Sequence, residues 1–259
     1  MDNKQILKIA MKQSAVDIGC QTEDFMKTAN IIVPFKLGTT AKKYYSEPIG
    51  CNFISYGNNV VVGSCDALSD IVYKYIKNHD FYHCFETPNT TWLNKQLLMR
   101  QHTIWLQAEY FLPDLNNLPS FTCNYEIRVL DHDGFEHYFL PQWSNAICGD
   151  RKYLNNLGIG GFDGGKLIGL AGCTEDSEDM WQVGIDVLPE YRREGIAAAL
   201  TSRLTVEILE RGKIPFLNTA WSNIRSSRSA IKCGYIPSWI EMTIKPKEIV
   251  DCIYNFPEI

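Results

Sequence analysis

The sequence predicts an α/β chain built on a mixed sheet, and three stretches carry that expectation. Apolar runs at Leu157 to Phe162 and Lys166 to Cys173 flank Asp163-Gly164-Gly165, and a third run, Trp181 to Leu188, follows the acidic segment Glu175 to Asp179. Two successive hairpins are therefore expected. The third run stops at Pro189, and beyond it Ile196, Leu200, Leu204 and Ile208 recur every fourth residue up to Gly212. That is the pattern and stop signal of a buried helix, from about Arg193 to Arg211. An apolar run from Pro215 to Trp221, a shorter helix from about Asn223 to Cys233 ended by Gly234, and a last strand from Trp239 to Ile244 complete the order.

Upstream the elements are shorter. Helix is expected from Lys4 to Lys12 and from Thr22 to Thr28. Asn52 to Tyr56 reads as a strand that turns at Gly57-Asn58-Asn59 and resumes at Val60 to Val62. Cys65 to Ile76 reads as an amphipathic helix through Leu68, Val72, Tyr75 and Ile76, and His102 to Leu106 as a strand. Leu112 to Ser120 holds two prolines and three Asn or Asp residues, the composition of a connector. It sets the expected division: an N-terminal α/β domain over residues 1–118 and a second domain over 119–259. Past it, Tyr125 to Leu130 reads as a strand closed by a turn at Asp131 to Gly134, and Phe135 to Cys148 as helical in part.

Composition narrows the function classes. With 259 residues, 45% apolar and 21% charged, the chain has ample material for a core. A net charge of -5 does not point to nucleic acid. The nine cysteines include no C-x-x-C pair and are odd in number, which fits reduced thiols and a cytoplasmic location better than a disulfide framework. The first residues lack a signal-peptide core, and no apolar run reaches the length of about 18 residues that a membrane span needs. His79-x-x-x-His83-Cys84 has loose metal-ligand spacing without a second ligand pair, so no metal is expected.

The most informative stretch is Gly184 to Ala197, where a strand ends, a short turn follows and a helix begins. The lead amides of a helix have no partner in the helix itself and carry partial positive charge, which makes a helix start an anion site. Arg192 and Arg193 add formal charge there, and Gly195 lets a bulky diphosphate approach the backbone because no Cβ stands in the way. Arg192-x-x-Gly195-x-Ala197, set after Val187-Leu188-Pro189 and before the helix, resembles the pyrophosphate signature of the GNAT acetyltransferase superfamily. The resemblance covers roughly residues 121 to 245. It implies a GNAT-like acyl-CoA N-acyltransferase fold, with helices on both faces of a mixed sheet, and acetyl-CoA as co-substrate. It also implies a pyrophosphate held by Arg192, Arg193, Glu194, Gly195, Ile196, Ala197 and Ala198, with the backbone of Ile185 and Val187 turned to the pantetheine arm and the thioester carbonyl.

Asn223 matches an Asn that hydrogen-bonds the cofactor in many members; it is equally a good N-cap. Ser227, like Ser226 and Arg228, lies one turn on, either toward the cofactor or on a solvated helix face. Two departures stand out. The Tyr that acts as general acid in many members is replaced by Ala230, and the Glu that acts as base in the subgroup working on protein N-termini is replaced by Asn218. The substitutes nominated for proton transfer are Asp186, Glu175, Glu241 and Tyr235, with Cys233 beside Gly234; each has an ordinary structural reading as well. Glu175-Asp176-x-Glu178-Asp179 puts four carboxylates in five positions, either to draw in a cationic amine or as a solvated hairpin tip.

The resemblance thus implies an N-acetyltransferase that passes an acetyl group from acetyl-CoA to the amine of a small-molecule or peptide acceptor by direct attack. It implies neither nucleic acid nor membrane as partner, and a homodimer is compatible with it. The missing Tyr and Glu motivate an alternative, a non-catalytic acyl-CoA-binding sensor or regulatory module. The N-terminal domain is expected to cover the acceptor side or to be a degenerate copy of the fold.

Overall fold

A computed structural model describes residues 1–46 and 48–254. In chain order the regular elements are α1 (Asn3–Ile18), β1 (Ile31–Pro34), β2 (Cys51–Ser55), β3 (Val61–Ser64), α2 (Ser69–Lys77), α3 (Thr87–Leu98), β4 (His102–Pro113), β5 (Glu126–Asp131), β6 (Asn155–Asp163), β7 (Lys166–Thr174), β8 (Met180–Val187), α4 (Ile196–Glu210), β9 (Ile214–Ala220), α5 (Ile224–Lys232), β10 (Tyr235–Pro246) and α6 (Lys247–Tyr254). They divide into two units: Met1–Leu7 with Phe111–Pro237, and Lys8–Tyr110 with the chain from Ser238.

In the second unit the strand order is β1-β3-β2-β10-β4. β2 and β3 form the hairpin expected around Gly57, β1 joins β3 in parallel, and β10 runs antiparallel to β2. One core gathers Phe53, Val62, Met242 and Ile244 of these strands with Val72 and Tyr75 of α2 and Leu93 and Leu97 of α3. α2 begins at Ser69, four residues later than the apolar pattern suggests. β1, α3 and α6 lie outside the sequence expectation. α3 does carry a proline in its first turn and buries Thr90, Leu93 and Leu97 at helical spacing.

The first unit positions the site. Its strands run β9-β8-β7-β6-β5, antiparallel from β5 to β8 and parallel between β8 and β9. α4 covers one face: Ile196, Leu200, Leu204 and Ile208 are almost fully buried against Ile159, Cys173 and Val183. Burying each such side chain stabilises by about 1.5–3 kcal/mol, which fixes the helix on the sheet. The opposite face is covered by two 3-10 turns, Asp133–Tyr138 and Pro141–Trp143, whose Phe135 and Trp143 pack with Ala146, Ile147, Phe162 and Leu170. Phe135 to Cys148, expected as partly helical, is helical in these two 3-10 turns and holds no α-helix.

That chain can lie flat on the sheet because of three glycines side by side. Gly158 neighbours Gly172, and Gly172 neighbours Gly184. A Cβ on Gly184 would fall 1.7 Å from the carbonyl oxygen of Asn145, and one on Gly172 would fall 2.3 Å from that of Ala146. No side chain fits there. No described helix is long and apolar enough to cross a membrane.

Candidate active site

The turn between β8 and α4 is held in one conformation. Pro189–Tyr191 makes a single 3-10 turn, and the Arg192 side chain folds back to donate from Nε to the Val187 carbonyl at 3.1 Å. Arg193 (φ 73°) and Gly195 (φ 83°) are both left-handed. α4 therefore begins at Ile196, three residues after the point its apolar spacing suggests. Ala199 ties α4 back to the turn, its amide donating to the Gly195 carbonyl at 3.0 Å. Ile196, Ala197 and Ala198 lead the helix, and their amides have no place in its ladder. The side chains of Ile196 and Ala198 belong to the core, so these residues offer backbone alone.

Two tyrosines brace this turn, and both lie outside the sequence expectation. Tyr125 donates its hydroxyl to Glu194 Oε2 at 2.5 Å, and Tyr191 donates to Asp163 Oδ2 at 3.0 Å; the rings meet edge to face at 5.8 Å. The hydrogen bond to the Glu194 carboxylate pushes the Tyr125 phenol up to about 12.

The second feature is a fork. β8 pairs with β9 from Met180↔Ile214 to Gln182↔Phe216 and no further, although β8 continues to Val187 and β9 to Ala220. At the crotch, Gln182 Nε2 donates to Asn218 Oδ1 at 3.0 Å. Past it, the β8 edge that would face β9 is left out of the ladder over Val183 to Val187. An extended ligand arm can take up backbone hydrogen bonds there, in the manner of an added strand.

Comparison with known proteins gives the family. A family model described as GNAT acetyltransferase matches residues 92–239. The chain belongs to the GNAT acetyltransferase family. No curated protein matches it. Among solved structures it is similar to a GCN5-related N-acetyltransferase-like protein from Streptococcus suis, at 17% identity over 61% of this chain and 68% of that one, with a TM-score of 0.44. It is also similar to a GCN5-related N-acetyltransferase from Kribbella flavida, at 19% identity over 61% of this chain and 63% of that one, with a TM-score of 0.43. A third is an acetyltransferase of the GNAT family from Colwellia psychrerythraea, at 16% identity over 59% of this chain and 62% of that one, with a TM-score of 0.43. The matched regions thus span about two thirds of the length of these relatives.

The nominated proton carriers part company. Asp186 does lie on β8 beside the fork, but its carboxylate is engaged. Oδ2 accepts the amides of Asn145 and Ala146, each at 2.9 Å, and Oδ1 accepts Asn145 Nδ2 at 2.8 Å. It anchors the segment that rests on the glycines. Tyr235 is buried in the core with its hydroxyl 2.7 Å from Thr205 Oγ1, and burial holds its phenol well above the usual range. Cys233 is buried beside it, its thiol pushed up to about 11. Both side chains are closed off from solvent in the core. Glu241 belongs to the second unit, where its carboxylate accepts from Tyr45, Asn52 and Trp239. Glu175, half-buried on the loop joining β7 to β8, is the member of the set whose carboxylate takes no hydrogen bond among the described residues.

The departures have structural counterparts. Ala230, in place of the expected Tyr, is buried in the core, and Asn218, in place of the expected Glu, is tied to Gln182. Asn223 caps α5, its Oδ1 accepting the amide of Ser226 at 3.2 Å, and Ser227 Oγ sits 2.9 Å from Thr219 Oγ1. The acidic segment is only in part a solvated tip. Asp176 is buried, accepts the Thr174 hydroxyl at 2.6 Å and stands 3.7 Å from Arg151, and Ser177 is buried with its hydroxyl on Met180. His79 turns its Nδ1 to the Tyr75 carbonyl at 2.8 Å, and no group of three or more His, Cys, Asp or Glu among the described residues is placed to hold a metal.

Proposed function

We propose that this GNAT family member is an N-acetyltransferase, taking an acetyl group from acetyl-CoA and passing it to the amine of a small-molecule or peptide acceptor by direct attack. One observation carries the reading: the left-handed turn at Arg193 and Gly195 leads into the unladdered amides of Ile196, Ala197 and Ala198, immediately past the fork at Gln182 and Phe216. The fit to a diphosphate rests on space as well as charge. A Cβ built on Gly195 would meet nothing nearer than the Thr122 carbonyl oxygen at 4.0 Å. The turn is therefore open where a phosphate would lie against it, and Arg192 and Arg193 are exposed at its rim.

In this reading the amides from Arg193 to Ala198, including that of Glu194, hold the diphosphate, and the backbone of Ile185 and Val187 holds the pantetheine arm along the open edge of β8. The cap at Asn223 uses Oδ1, which leaves its Nδ2, with Ser227, as the groups α5 offers. Acetyl-CoA, when bound, supplies an acyl group activated as a thioester. The acceptor nitrogen forms the new N–C bond, the C–S bond breaks, and the proton shed by nitrogen balances the departing thiolate. Glu175 accepts that proton through water, as the carboxylate of the nominated set that carries no other duty.

Isothermal titration with CoA and release of free thiol from acetyl-CoA in the presence of amines test the reading together. Binding that weakens steeply with salt, plus amine-dependent thiol, is the expected result. The loss of Tyr at Ala230 and of Glu at Asn218 favours one competing reading, a sensor that binds acyl-CoA without turnover. CoA binding with thiol release at background across the amine panel would establish it. Absence of CoA binding would remove both.

A further inference from the structure

We propose that the acceptor carries a carboxylate as well as an amine, and that Arg151 is the residue that binds it. The inference rests on the acetyltransfer reading and names the substrate class for the same site. Side chains alternate along β8, so Val183, Ile185 and Val187 pack on the side of α4, while Gln182, Gly184 and Asp186 face the opposite side. On that opposite side lies a cleft of about 510 Å³ between the β8 residues Gln182 and Gly184, Thr174 of β7 and the chain from Phe139 to Arg151. It reaches the crotch of the fork through Gln182. An acceptor in it meets a thioester lying in the fork from the face that α4 does not occupy. Its volume suits a molecule of amino-acid to dipeptide size.

Two charged side chains line this cleft among the described residues, Asp150 and Arg151, one of each sign. Arg151 is the unusual one. Its side chain is 29% exposed, yet Nε is buried and donates no hydrogen bond among the described residues. Nη2 stands 3.7 Å from Asp176 Oδ1, beyond hydrogen-bond range, while Asp176 is itself fully buried and fixed by Thr174. Asp176 therefore positions the guanidinium without satisfying it. A buried donor left unpaired is costly unless something completes it. The planar donor set of a guanidinium matches a carboxylate, which accepts two parallel hydrogen bonds. The apolar stretch of the wall, including Leu140 and Ile147, leaves room for a large apolar side chain. The acceptor these features describe is an amino acid with an apolar side chain, its carboxylate on Arg151 and its amine toward Gln182.

The test compares amino acids with their decarboxylated amines, phenylalanine with phenethylamine and leucine with 3-methylbutylamine, by thiol release from acetyl-CoA. A site built around a hydrogen-bonding group rejects the analogue lacking its partner strongly, so the expected preference in kcat/KM for the carboxylate-bearing member is at least about 100-fold. Arg151→Lys keeps a cation beside buried Asp176 and loses the planar fork. It should raise KM for the amino acids at least about tenfold, leave kcat near wild type, and leave the decarboxylated amines unmoved. A merely structural Arg151 would shift both members of a pair alike. A preference near one in the wild type, or one that survives in Arg151→Lys, overturns the assignment while leaving acetyltransfer standing. CoA binding without thiol release from any pair overturns both.

Discussion

Gly195 is where a single residue carries the most. At φ 83° a side chain with a branched Cβ is strained, costing about 1–2 kcal/mol. The space around it is open, so packing adds little to that cost. Gly195→Val should therefore fold, with its free energy of unfolding lowered by that amount in urea denaturation, yet bind CoA at least tenfold more weakly by titration. Unchanged affinity would show that no diphosphate rests on this turn. The motif around Gly195 was legible because its chemistry is local: charge, glycine and helix start fall within a few residues. Tyr125 and Gln182 were not, since each acts through a partner far along the chain, Glu194 and Asn218. The same distance hid the engagement of Asp186, whose donors come from Asn145 and Ala146.

Elements explain why Asp186 and Glu175, both carboxylates near β8, should behave differently. Asp186 ties the 3-10 segment to the sheet with three hydrogen bonds, each to a charged acceptor. Asp186→Ala should cost about 2 kcal/mol or more in urea denaturation, and its kinetic effect should fall on KM as the cleft wall loosens. Glu175→Gln should leave stability within about 0.5 kcal/mol and lower kcat by about 100-fold or more. An unaltered kcat would assign the proton to water. Among the elements, α4 and the two hairpins could be read from periodicity and turn residues. The 3-10 turns could not, because they have no repeating apolar face and their place is set by glycines on the strands beneath. β4 runs past the expected end at Leu106 to Pro113, burying Ala108, Tyr110, Phe111 and Leu112, and a strand end tolerates that proline.

At the scale of the whole molecule, each unit is made from two chain segments, a feature that no pattern along the sequence carries, and each unit has its own buried chemistry. In the second unit Lys42 is buried with Nζ 2.9 Å from Asp17 and 3.9 Å from Glu241, and its own amide donates to Asp17 at 2.9 Å. The rings of Tyr45, Tyr110 and Trp239 lie within about 6 Å of the same ammonium, at 6.0, 6.0 and 5.9 Å. Despite burial, the two carboxylates hold the Lys42 ammonium above the ordinary lysine range, and burial raises the phenols of Tyr45 and Tyr56. All three folded values lie above the unfolded ones. Their stabilisation is therefore complete below pH of about 10 and is lost as pH rises through the folded values. Burial pushes up the thiols of Cys20, Cys51, Cys84, Cys173 and Cys233 as well, so urea midpoints should begin to fall near pH of about 8 and fall further from about pH 10 upward. Lys42→Met leaves two buried carboxylates without their cation and should cost about 3–5 kcal/mol. Adding Asp17→Asn to that variant should recover part of the loss, because it removes one of the orphaned charges; a double variant no more stable than Lys42→Met would show that the carboxylates are not what the lysine balances.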